Sequence, residues 1–160
     1  MDENLQLVII RDPRAAANSM FFMLKKDFGE RFKHTLDEYV LSVLPSYCQR
    51  TLFRVLLFGT VLRSRTLLLF YEDILAAKVA SFGKLVRFFG MNLPGVVIEA
   101  LENAPDQPFE EHTGETRSAK QENQRSFKDE VSPETVFSMD EIMRGWLPSE
   151  LLVRWNVYGR

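Results

Sequence analysis

The chain has 160 residues, 46% of them hydrophobic and 26% charged, which is the composition of one globular domain with a core rather than of a disordered segment. The 20 Lys and Arg against 22 Asp and Glu leave a net charge of −2. That excludes the basic excess which general nucleic-acid or membrane-surface binding requires, while leaving room for a local basic pocket. Cys48 is alone, so no internal disulfide forms, and His34 and His112 show no metal-ligand spacing, so no metal is expected.

No basic stretch followed by an apolar one opens the chain, so no leader is expected. The longest apolar runs, Val55–Phe58 and Leu67–Tyr71, are too short to span a bilayer, so no membrane segment is expected. Leu5–Ile10 is a continuous apolar run of strand type and predicts a strand covered on both faces. Asp12 is placed to cap the next helix, with Pro13 at its first position. Ala15, Ser19, Phe22 and Met23 fall on one face of that helix, which ends near Gly29.

Leu36, Tyr39, Val40, Val43 and Leu44 predict a second helix, interrupted by Pro45; a third runs from about Ser46 to Val61. Thr66–Tyr71 reads as another fully apolar strand with a charged edge, Glu72-Asp73. A helix over roughly Leu75 to Phe89 carries Val79, Phe82, Val86 and Phe89, and Gly90 stops it. A shorter helix follows Pro94 through about Ala104. Residues 106–131 are polar, a length that marks either a functional loop or a flexible one. Ser132 and Pro133 then start a final helix with Val136, Met139, Ile142 and Met143 on its apolar face, and Trp155 and Tyr158 anchor the tail.

Two apolar strands separated by helices predict a parallel α/β arrangement. Two strands make a poor sheet, so either further strands are hidden or the chain is part of a larger domain.

Three stretches carry candidate chemistry. At Arg11-Asp12-Pro13-Arg14, a strand end meets a helix N-terminus, where free N–H groups and the helix dipole favour an anion. Arg11 adds a cation able to grip two phosphate oxygens, and Ser19 adds a hydroxyl two turns on. The competing reading pairs Arg11 with Asp12 or Glu72 and makes Ser19 a small packing residue. At Tyr71-Glu72-Asp73, a second strand end supplies another border for the same site, since ligands of open α/β sheets gather at strand carboxyl ends. The competing reading has Glu72 and Asp73 capping the helix that follows. In the polar segment, Arg117, Lys120 and Arg125 make either a basic loop that closes over a phosphorylated ligand or a solvated linker.

"LVIIRDPRAAANSMFF" resembles the 3′-phosphate-binding motif of sulfotransferases, a strand followed by Arg-Asp-Pro-Arg with a Ser eight residues after the first Arg. "LLLFYEDILAAKVASFGKLVRFFGM" is similar to the family's later segment, a strand ending in Tyr-Glu-Asp and a helix ending in Phe-Phe-Gly-Met. "ETRSAKQENQRSFKDEVSPETVFSMDEIM" resembles the C-terminal segment of the Golgi carbohydrate sulfotransferases, with Phe127 where many relatives have Trp.

The resemblance implies a P-loop-NTPase-like three-layer parallel sheet, here an incomplete, helix-rich C-terminal portion forming one partial domain over residues 1–160. It implies 3′-phosphoadenosine-5′-phosphosulfate (PAPS) as donor and a glycan or glycoprotein hydroxyl as acceptor. Arg11 and Ser19 would hold the 3′-phosphate, Tyr71 would shape the nucleotide side, and Arg117 would come from the covering loop. No Gly-rich or Lys-Ser/Thr loop for the 5′-phosphosulfate stands between Met1 and Ile10, and no catalytic base is assigned. The expected chain is therefore an N-terminally truncated domain holding the 3′-phosphate half of the site. The family implies the Golgi lumen, whereas a chain complete as written would be cytoplasmic. The alternative function is a non-catalytic binding module that keeps the fold.

Overall fold

Strand β1 (Gln6–Ile10) pairs in parallel with β2 (Thr66–Phe70), Gln6 opposite Thr66 and Ile10 opposite Phe70. This pair belongs to a helix-rich α/β fold in the computed structural model, which describes residues 5–92, 94–97, 99, 108–110, 116–118 and 127–157. For 108–110 and 116–118 the description is of the backbone alone.

The helices are α1 (Pro13–Phe28), α2 (Leu36–Leu56), α3 (Tyr71–Ala76) and α4 (Lys78–Phe88), then α5 (Pro133–Trp146) and α6 (Ser149–Arg154). Between α4 and α5, β3 (Pro108–Glu110) and β4 (Thr116–Ser118) form a short antiparallel pair. Helix α1 packs on α2, and α2 on α5. Their shared core holds Ile10, Ala17, Phe21, Val40, Leu44, Met139 and Met143, with Leu152 and Trp155 from the C-terminal turn.

Alternation along the strands sends Val8, Ile10, Leu68 and Phe70 toward this core. Leu69 points away from it and is nonetheless buried, on the side where α4 packs against β2. That cover does not extend over β1. Leu7 is 37% and Ile9 44% exposed, so β1 is covered on one face and not on both as its apolar run predicts.

Local chemistry explains the helix ends. Asp12 caps α1 by accepting the Arg14 N–H at 2.9 Å, and Pro13 occupies the first helical position, where a missing N–H costs nothing. Thr35 and Glu38 form a reciprocal capping box at α2, and the hydrogen bonds from Thr35 hold the Glu38 carboxyl below its ordinary range. Ser132 caps α5 through the Thr135 N–H. Gly90 ends α4 at φ +64°, with Gly90 N–H donating to Arg87 O and Met91 N–H to Val86 O. That left-handed turn is why glycine stands there.

The predicted helices differ at three points. Helix α1 does not bury the face of Ala15, Ser19, Phe22 and Met23; it buries Arg14, Ala17, Asn18 and Phe21. Pro45 does not end the second helix but lies inside α2. The helix forfeits one hydrogen bond there, while Val40 and Leu44 before it and Cys48 after it are all fully buried and keep the two halves in line. The helix expected over Leu75–Phe89 is two, broken at Ala77, whose ψ of 65° is not helical. After Pro94, residues 95–97 and 99 are helical, and the rest of that helix lies outside the described residues.

Candidate functional site

The parallel register sets the carboxyl ends of β1 and β2 side by side, so Arg11 and Tyr71 are neighbours although sixty residues separate them in sequence. The Arg11 guanidinium carbon lies 4.7 Å from the centre of the Tyr71 ring. Beside this stack the Asp12 N–H donates to Glu72 Oε1 at 2.8 Å. The two strand ends are therefore tied twice, once by a cation–π contact and once by a charge-assisted hydrogen bond.

This arrangement bears on the competing readings of the two strand-end motifs. Arg11 makes no ion pair with Asp12 or Glu72 among the described residues; its partner is an aromatic face. Its fork of donors is thus not consumed by a carboxylate. Glu72 does not cap α3, which has no side-chain cap; it bonds across to the start of α1. Asp73 pairs with Arg154 of α6 instead of capping. Arg154 in turn lies over the Phe70 ring, 3.7 Å from its centre.

The start of α1 is not the open anion cradle that the sequence suggests. The Asp12 N–H is taken by Glu72, the Arg14 N–H is taken by the Asp12 side chain, and Pro13 has none to give. Glu72 also leaves its Oε2 buried without a partner among the described residues. Among the described residues, the cationic group available to an anion at this junction is the Arg11 side chain.

Arg14 has a different role from Arg11. It is 1% exposed and sits among four groups. Nε and Nη2 reach the Asp12 carboxylate, Nη1 reaches Asp140 Oδ1 at 2.6 Å, and Nη2 also donates to Trp155 O at 2.5 Å. The Phe127 ring covers it at 4.9 Å. Burial alone would lower the pKa of this guanidinium; its hydrogen bonds and attraction to Asp12 and Asp140 outweigh that and raise it. Arg14 therefore fastens the strand–helix joint to α5 and the C-terminal turn.

Next to this hub Asn18 Nδ2 donates to Glu130 Oε2 at 2.5 Å, and its buried Oδ1 has no partner among the described residues. Ser19, one position on, is exposed on α1, six residues and about 9 Å along the axis from Pro13. No hydrogen bond joins Ser19 to Arg11 among the described residues, so an anion held by both would have to bridge them. Arg117 lies in β4, its backbone opposite Phe109, and the covering role expected of its side chain falls outside the described residues, as do Lys120, Arg125 and most of the segment 106–131.

Sequence reading did not identify Asp140 as Arg14's partner. One signal was present: Asp140 stands in the same helical stripe as Val136, Met139 and Met143, and an acid on a buried face requires a buried cation. The Glu72 link to Asp12 carries no such local mark, because it depends on the strand register.

Among the described residues there is no group of three or more metal-ligating side chains, and no helix is long and apolar enough to cross a membrane. Comparison with family models, with curated proteins and with solved structures finds no match to this chain.

Proposed function

We propose that this chain carries the 3′-phosphate-binding part of a PAPS-dependent sulfotransferase domain. The observation that supports it most is the stack of Arg11 on Tyr71 at adjacent strand ends, with the guanidinium free of any carboxylate among the described residues. A planar cation that rests on an aromatic face, and not in the grip of a carboxylate, keeps the fork of donors that phosphate recognition uses.

In this reading Arg11 and Ser19 hold the 3′-phosphate and Tyr71 bounds the nucleotide. Arg117 belongs to the segment that covers it. When bound, the donor supplies an activated sulfuryl group for an acceptor hydroxyl. The acceptor class, a glycan, the P-loop-like three-layer sheet and the Golgi lumen all rest on the sequence resemblance. The residues fit a phosphate at one point, Arg11. The start of α1 adds less than the sequence suggests, since Glu72 takes the Asp12 N–H and the Asp12 side chain takes the Arg14 N–H.

That last observation favours a second reading, a non-catalytic binding module that retains the fold. It would use Asp12, Arg14 and Asp140 as a structural knot and have no sulfuryl transfer activity. Calorimetry separates the readings. Saturable binding of 3′-phosphoadenosine-5′-phosphate, with none of adenosine 5′-phosphate, supports the first. Equal or absent binding of the two nucleotides contradicts it.

A further inference from the structure

Away from the strand ends, the C-terminal half of α2 and the end of α5 enclose an open groove of about 560 Å³. Its lining is largely apolar: Leu52, Phe53 and Leu56 of α2, Phe58 of the turn that follows, and Trp146 of α5. Phe53 is 61% and Trp146 41% exposed, so large aromatic surface faces solvent here. Soluble domains seldom leave such a patch without a use.

Charge marks the rim. Arg50 and Arg54 border the groove one helical turn apart. Arg50 lies 6.0 Å from the Tyr47 ring centre, and neither arginine has a carboxylate partner among the described residues. Two unpaired guanidiniums beside exposed Trp and Phe form the residue set in which binding energy concentrates at protein interfaces. Gln49, Phe53 and Leu56 recur at i, i+4 and i+7, the spacing that meshes with apolar residues of a second helix.

We propose that this groove docks an acidic amphipathic helix of a partner protein, its apolar residues over Phe53, Leu56 and Trp146 and its carboxylates on Arg50 and Arg54. The cavity is within the range of built ligand sites, and the sign of the rim selects an anionic partner over a basic one. This inference is independent of the nucleotide site.

The test uses a fluorescein-labelled synthetic helix with Leu and Phe at i, i+4 and i+7 and Glu on both flanks, and a control with Lys for Glu. Anisotropy should show saturable binding of the acidic helix to the full chain and none of the basic one. The paired reversal Arg50→Glu with Arg54→Glu should weaken the acidic helix by at least about tenfold and admit the basic one. Both positions are exposed, so the variant is expected to fold, which its thermal transition checks. Failure of the acidic helix to saturate, or binding unchanged by the reversal, overturns the proposal. So does concentration-dependent dimerisation of the chain abolished by Phe53→Asp, which would make a second copy the occupant.

Discussion

The guanidinium of Arg11 stacks on the ring of Tyr71, 4.7 Å from its centre, across the paired ends of two parallel strands. Tyr71 meets the cation with its ring face, and no carboxylate among the described residues takes the Arg11 donors. A Tyr71→Phe change keeps the face and should leave nucleotide affinity nearly intact. Tyr71→Ala removes a contact of about 0.5–1 kcal/mol and should weaken binding by roughly two- to fivefold, read by calorimetry.

Arg14 is expected to govern stability. Arg14→Ala strands Asp12 and Asp140 in the interior and should cost about 3–5 kcal/mol, a fall in Tm of roughly 6–20 °C. Arg14→Lys should not rescue it, because one ammonium cannot reach Asp12, Asp140 and Trp155 O together. Calorimetric melting of the three proteins checks this. A melting temperature unchanged by Arg14→Ala would show that the knot contributes no stability.

Glu72 is expected to act in two opposed ways. Glu72→Ala leaves the Asp12 N–H unpaired and should destabilise by about 1–3 kcal/mol. Glu72→Gln keeps an acceptor and removes a negative charge beside Arg11. Its stability should stay close to wild type while its affinity for a phosphorylated nucleotide rises. Urea titration gives the first quantity and calorimetry the second.

Cys48 is fully buried, and burial pushes its thiol up to about 12. The folded state then holds its proton through a range in which the unfolded thiol loses it. The stabilisation is complete below about pH 9 and declines as pH rises toward about 12, by about 1.4 kcal/mol per pH unit. Urea midpoints at pH 8 and pH 10.5 should therefore fall further for wild type than for Cys48→Ala. In the native state the thiol should resist alkylation at pH 8 and react only after unfolding.

What the sequence made legible was local. Asp12, Pro13, Gly90, Ser132 and Pro133 mark helix ends by side-chain chemistry that needs no tertiary partner, and the structure places them as read. The two strands are also local, as continuous apolar runs. The buried face of α1 was not legible, because it turns on Arg14, whose burial depends on Asp140, 126 residues away. A guanidinium reads as surface until its distant acids are known. Pro45 misled for the same reason: the burial of Val40, Leu44 and Cys48 on either side overrides its intrinsic preference. The break at Ala77 has no Pro or Gly to announce it. At the candidate site, the pairing of the two strand ends was legible from topology, whereas the closing of the α1 N-terminus by Glu72 depends on register and was not.

The most direct test of the account is calorimetric titration of 3′-phosphoadenosine-5′-phosphate into wild type and Arg11→Ala at fixed, moderate salt. Loss of a charge-assisted contact to phosphate should weaken binding by about tenfold or more, while loss of the Tyr71 contact lowers the melting temperature by no more than about 4 °C. Equal affinity in the two proteins would contradict the assignment of Arg11 and with it the proposed site.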